Sequence, residues 1–235
     1  TDEEIGSATS RREIEKEARR SDAVLVLEPS LGSEGRLKTA RKGVGTARVV
    51  VTGRAAHAGI NPQEGVNAVH ELALQIARLS KMNDARRGIT VQATVIAGGT
   101  VSNVVPERAQ AEVDIRFARL SDGPGLDRKL HGLKPFLKGA RVEVIGGVNR
   151  PPLERTAGVV KLFQHAQSLM GGVGASLGEA STGGGSDGNL TAALGVPTLD
   201  GLGAVGDGAH SSREHVVIDS LPARAALIAG LLATL

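Results

Sequence analysis

No cysteine occurs in the 235-residue sequence. Disulfides and thiolate metal sites are thereby excluded, the redox compartment is left open, and any metal has to be held by His, Asp or Glu. Trp and Tyr are absent and Phe occurs three times, so the core must be built from Val, Leu, Ile and Ala. Without aromatic side chains there is no platform on which nucleobases could stack, and nucleic acid is not expected as a partner. Nothing approaches 18 continuous apolar residues, and no membrane span is expected. The opening residues read as the interior of a gene, so no signal peptide can be judged, and cytoplasmic and periplasmic or secreted locations both stay open.

What is present suits a folded domain. Hydrophobic residues make up 40% and charged residues 23%, with a formal net charge of +3, and the length allows one or two domains. The run RREIEKEARR at 11 to 20 alternates Arg/Lys with Glu at helical spacing, which reads as a solvated helix face.

Ala23 to Leu27 form a short apolar run closed by Glu28 and Pro29, a pattern that predicts a buried parallel strand delivering Glu28 at its C-terminal end. Polar, Gly-rich residues 31 to 45 read as a linker. A strand over 46 to 55 follows, then a helix over 63 to 82 with Val66, Val69, Leu72, Ala73, Ile76 and Leu79 as its apolar stripe. Strands near 89 to 97 and 109 to 118, a helix near 124 to 137 and a strand at 140 to 146 complete a β-α-β-β-α-β order, the ferredoxin-like pattern. Beyond 150 the texture returns to α/β, with helices near 156 to 170 and from 219. The expected organisation is one α/β domain made of 1–43 and 150–235, with a ferredoxin-like unit, 44–149, inserted in it.

Several residues could carry chemistry. Glu3 and Glu4 are adjacent, so their side chains diverge and cannot readily do the same job; as a plain alternative, Asp2, Glu3 and Glu4 are acids suited to a helix N-terminus. GAHSSREH puts His210 in a Gly-rich turn, and GRAAHAGINP puts His57 just after a strand among small neighbours. Asn103 lies in a turn before a strand that ends near Arg116. Two motifs are discounted. GLGAVG at 201 to 206 is followed by no opening helix, and GGGSDGN at 183 to 189 lacks the Lys-Ser/Thr of a phosphate loop, so its glycines serve tight turns or close backbone approach.

Taken in order, DEEIGS, LEPS, the inserted unit opening with GRAAHAG, NVVPE, DIR, GGGSDGN and GAHS resemble the dizinc hydrolases that include acetylornithine deacetylase, succinyl-diaminopimelate desuccinylase and glutamate carboxypeptidase. GRAAHAG with NRPPLERT is most similar to the glutamate carboxypeptidase branch. The resemblance implies a zinc-peptidase-like α/β catalytic domain carrying a lid domain that pairs two subunits into a homodimer. It implies Glu3 as general base, Glu4 and His210 as ligands of one Zn2+ and Glu28 as ligand of the other, with two ions per complete subunit and Co2+ or Mn2+ as substitutes. It further implies that His57 stabilises an oxyanion in the neighbouring subunit, and that Asn103, Arg116, Arg150 and Gly184 hold the substrate's free carboxylate. The substrate would be a small peptide or an N-acyl amino acid, cleaved by a carboxypeptidase of glutamate type or by a deacylase. The sequence departs from the family in one respect: the upstream His-x-Asp motif and bridging Asp are absent. The chain is therefore expected to be the C-terminal part of a longer enzyme and inactive alone, or else a non-catalytic dimerising module.

Overall fold

Ala47, Val49 and Val51, and likewise Ala109, Ala111, Val113 and Ile115, recur with a period of two, and all are buried on one face of a sheet. The computed structural model describes residues 2–172 and 174–235. In chain order its elements are α1 (Arg11–Ala18), β1 (Val24–Leu25), β2 (Leu37–Arg41), β3 (Gly43–Thr52), α2 (Ala68–Ser80), β4 (Thr90–Gly98), β5 (Arg108–Phe117), α3 (Gly123–His131), β6 (Arg141–Arg150), α4 (Ala157–Gly172), β7 (Glu179–Thr182), α5 (Gly188–Ala192), β8 (Thr198–Leu199), β9 (Gly206–Asp207), β10 (His215–Val216) and α6 (Leu221–Thr234). They form two compact units, Thr1–Lys42 with Arg150–Leu235, and Gly43–Asn149.

In the second unit the strands lie in the order β4-β5-β3-β6, the ferredoxin-like arrangement of a β-α-β-β-α-β chain. Leu72 and Leu79 of α2 and Leu126 and Leu130 of α3 close its core against the sheet. The helix α2 begins at Ala68, later than the apolar stripe suggests, because Pro62–Glu64 makes a separate tight turn and Asn67 caps the helix by accepting from the His70 amide at 2.9 Å. The helix α3 ends at His131 and not near 137. The amides of Phe136 and Leu137 donate instead to the buried Glu71 carboxylate, at 3.0 and 2.7 Å. The strand β4 is an edge, and its Val95 and Ile96 are exposed.

In the first unit β1 runs parallel to β8 and β2 parallel to β7, and β9 and β10 form a hairpin. Leu37, Leu162, Phe163, Leu199, Leu227 and Leu231 form its core, each fully buried leucine contributing roughly 1.5–3 kcal/mol. Residues 31 to 45 are not a linker, since they contain β2. That strand escapes an apolar pattern because Thr39 and Arg41 are buried in it as partnered polar side chains: Thr39 Oγ1 donates to Glu179 at 2.6 Å, and Arg41 is paired with Asp200. Nor are Ala23 to Leu27 a fully buried strand. Among the described residues β1 pairs with β8 alone, and Leu27 is 61% exposed.

Candidate active site

The three acids at the start of the chain part company. Asp2 folds back on α1, where its carboxylate accepts from the Thr9 amide at 2.8 Å, the Thr9 hydroxyl at 2.7 Å and the Ser10 hydroxyl, and these bonds hold it well below the usual carboxylate range. Glu3 and Glu4 occupy a short turn, Glu3–Ile5, closed by Gly6 at φ 100°. The Glu3 carboxylate receives Arg150 Nη1 at 2.6 Å, while Arg150 Nη2 donates to Glu3 O and Ser7 Oγ, both at 2.9 Å. Asp187 lies 3.4 Å from the same guanidinium and takes the Ser7 hydroxyl. Glu4 turns the other way, its carboxylate 3.9 Å from His210 Nε2 with both side chains 79% exposed. His210 itself sits at φ 62°, an uncommon conformation for a residue with a side chain and one that often marks functional loops.

His210 and Glu28 line the same cavity, of about 1080 Å³, together with Arg36, Lys38, Arg41, Gly184 and the β9–β10 hairpin. Its floor is a buried ion pair. Arg41 grips both oxygens of Asp200, Nε to Oδ2 and Nη2 to Oδ1, each at 2.8 Å. The remaining Nη1 of Arg41 donates to the carbonyls of Gly184 and Gly185, at 3.1 and 3.3 Å, and Ser186 Oγ donates to Asp200 Oδ2 at 2.5 Å. The Gly-rich loop is thus fastened by its carbonyls to a cation. The GLGAVG stretch serves close backbone approach: Gly203 N donates to Glu28 O at 2.9 Å, and a Cβ at Gly203 would collide with Leu27 O.

Burial pushes the Glu28 carboxyl up from its ordinary 4.5; Asp200 and Glu3 add to this, while Arg41 and Lys38 oppose it. Between the two values the native state holds more protons than the unfolded chain, so stability falls as pH rises through that window and no penalty exists below 4.5. Glu28→Gln is therefore expected to raise the thermal midpoint of metal-free protein near neutral pH, with the gain vanishing as pH is lowered. A lower midpoint than wild type near neutrality would show the carboxylate to be stabilising.

In the second unit His57 and Asn103 are neighbours, joined by a bridge between His57 and Val104 and by the Ala58 amide donating to Asn103 O at 2.8 Å. The amides of Gly59 and Ile60 both donate to His57 Nδ1 at 3.1 Å. That ring nitrogen is therefore the acceptor, and Nε2 carries the proton. Arg116 stands at the other end of β5, on the order of 25 Å away by strand rise, with its guanidinium on Asp114 at 2.7 Å. Asn103 and Arg116 of one chain are too far apart to grip the same carboxylate. Arg150 is also occupied, being buried among Glu3, Ser7 and Asp187.

Two donors on one tetrahedral ion, each at about 2.1 Å, stand roughly 3.4 Å apart. The Glu4–His210 pair, at 3.9 Å, fits such an ion after a small closing movement of two exposed side chains. Among the described residues no three His, Asp or Glu side chains converge into a metal site, so Glu28 does not join that pair. Sequence reasoning passed over Lys38, Arg41, Ser186 and Asp200. For Asp200 a signal existed: GVPTLD ends an apolar stretch with an acid, as VLVLE does for Glu28.

Residues 39–133 match the peptidase dimerisation domain of M20 type. Carboxypeptidase G2 of Pseudomonas sp. strain RS-16 is 35% identical over 99% of this chain and 57% of that protein. A succinyl-diaminopimelate desuccinylase of Stenotrophomonas maltophilia is 28% identical over 80% of this chain and 50% of that protein. Among solved structures, aminopeptidase PepT from Bacillus cereus superposes with a TM-score of 0.76 at 23% identity, over 98% of this chain and 61% of that one. The YXEP protein of Bacillus subtilis, described as a dinuclear metal-binding peptidase, does so with 0.69 at 17% identity, over 97% and 61%; at such identities the likeness shows the fold. The chain spans about half the length of the curated relatives it matches. The chain thus carries a peptidase dimerisation domain of M20 type in its middle and is homologous to carboxypeptidase G2 along nearly its whole length.

Proposed function

We propose that this protein hydrolyses an amide bond next to a free carboxylate, as a metal-dependent carboxypeptidase acting on small peptides. The observation that carries the reading is the divergence of two adjacent acids, Glu4 towards His210 and Glu3 towards Arg150. A divalent ion such as Zn2+ held by Glu4 and His210, with Glu28 serving a second ion, would lower the pKa of bound water and polarise the scissile carbonyl. Glu3, oriented by Arg150, takes the proton of the attacking water and passes it to the leaving amine. His57, whose Nε2 carries the proton, donates a hydrogen bond to the developing oxyanion.

Pairing of two chains through the lid is part of the reading. It is supported by the dimerisation-domain match and by the exposed apolar edge of β4, since an unpaired edge is a template for another strand. His57 and Asn103 then act as one group on the neighbouring subunit, and Arg116 acts separately on a carboxylate of the substrate. The desuccinylase relatives favour a second reading, an N-acyl-amino-acid deacylase. Protein expressed from the complete gene, loaded with Zn2+, Co2+ or Mn2+, is expected to cleave peptides that end in a free carboxylate and to leave amidated peptides nearly untouched. Faster cleavage of N-acyl amino acids than of peptides would select the deacylase, and no hydrolysis of any of these with any of the three metals would sink both.

A further inference from the structure

Arg224, near the start of α6, is only 7% exposed, and no acid answers its charge. Its guanidinium donates to three backbone carbonyls: Nε to Gly203 O at 2.8 Å, Nη1 to Gly35 O at 3.0 Å, and Nη2 to Gly201 O. Among the described residues no carboxylate pairs with it, and burial pushes the guanidinium down from its ordinary range. The dipole at the N-terminal end of a helix disfavours a cation as well. A buried charge met only by backbone dipoles is costly to keep, and what the three carbonyls hold together explains its place.

They belong to two stretches behind one cavity wall. Leu31 and Arg36 close a tight hairpin, the Leu31 amide donating to Arg36 O at 2.9 Å, with Gly32 and Gly35 at φ 72° and 67°; residues 28–33 and Arg36 line the cavity. Ser30 bonds the base of this hairpin to Ala204. Among the described residues, the one hydrogen bond from 31–35 to anything beyond the hairpin is that of Arg224 to Gly35 O. The other stretch, 201–203, lies against Lys38 and Leu27 and leads into Ala204, Val205 and Gly206 of the same wall. One planar fork thus joins both stretches from behind, which an ammonium group, donating from a single point, would do less well.

We propose that Arg224 is a positioning residue that holds the 31–36 hairpin against the 201–203 stretch and so fixes the width of the cavity in which substrate is gripped. This rests on reading the cavity as the place where substrate binds. Arg224 bonds to none of Glu3, Glu4 and His210, and Glu28 O keeps its own bond from the Gly203 amide. Loss of the guanidinium should therefore weaken substrate binding and leave metal binding and the chemical step in place.

Hydrogen exchange read by peptide mass spectrometry, beside steady-state kinetics, tests this in protein from the complete gene. Arg224→Gln is expected to speed exchange of the 31–36 amides by about tenfold or more while those of α4 are unchanged, and to raise KM by about tenfold with kcat and metal content within about twofold of wild type. Arg224→Lys should show both effects in weaker form, and replaces the Gln variant if that one gives no cooperative thermal transition. Gly35→Ala, whose Cβ would stand 3.0 Å from Val205 Cγ2 at a φ of 67°, should reproduce the pattern with Arg224 intact. Hairpin exchange that is unchanged, or that quickens equally throughout α4, overturns the positioning role and leaves the cavity reading standing, as does a fall in kcat in place of the rise in KM. A loosened hairpin with KM and kcat both unchanged overturns the cavity reading and the role of Arg224 with it. Wild type that turns over no substrate overturns the proposed function, and the part of Arg224 in it.

Discussion

Asp200→Ala is expected to destabilise the first unit by about 3–5 kcal/mol, because it strands the Arg41 guanidinium in an interior where the pair is 4% and 0% exposed. The loss extends beyond one ion pair. Asp200 also takes the Ser186 hydroxyl, and Arg41 holds the carbonyls of Gly184 and Gly185, so the Gly-rich loop loses its fastening as well. Domains are stable by only about 5–15 kcal/mol, so an effect of this size is readily seen as a fall in denaturant midpoint. The second unit has a core of its own, built on Val49, Val113 and Leu72, and a transition reported from that core should stay in place. The double variant Arg41→Met with Asp200→Ala removes both charges and is expected to be more stable than Asp200→Ala alone. A loss below about 1 kcal/mol for Asp200→Ala, or a double variant as unstable as the sum of the singles, would show that the buried pair does not organise the cavity floor.

Glu3→Gln, in protein from the complete gene, is expected to lower kcat by at least about 100-fold while metal content is unchanged. Glutamine keeps an oxygen for Arg150 Nη1, and Arg150 retains Glu3 O and Ser7, so the fold should be barely disturbed. What is lost is the proton acceptor. Glu4→Gln should behave differently, weakening metal binding itself, because its carboxylate faces His210. Metal analysis beside steady-state kinetics separates the two. Near-normal turnover in Glu3→Gln would remove that residue from the mechanism, and equal metal loss in both variants would mean that the two acids share one task.

The larger sheet is legible in the chain because its inward residues, Ala47, Val49 and Val51 against Ala111, Val113 and Ile115, are apolar and alternate. The same rule misses β2. Thr39 and Arg41 are buried there through ionic and hydrogen-bonded partners far along the chain, and a pattern of hydrophobicity records none of that. Helix ends are misjudged for a related reason: the amides of Phe136 and Leu137 are claimed by Glu71, a competitor that lies 65 and 66 positions away.

By itself the sequence determined that any metal here rests on His, Asp and Glu, that the chain alternates in β-α-β-β-α-β order over its middle, and that Glu3 and Glu4 must diverge, since local periodicity and side-chain chemistry need no partner to be read. Only the tertiary structure decided where the divergent acids go: Glu3 to Arg150, 147 positions distant, Glu4 to His210, and Lys38 to a cavity wall. Those outcomes depend on which distant charges the fold desolvates together, and desolvation is a property of the packed chain that no stretch of residues carries alone.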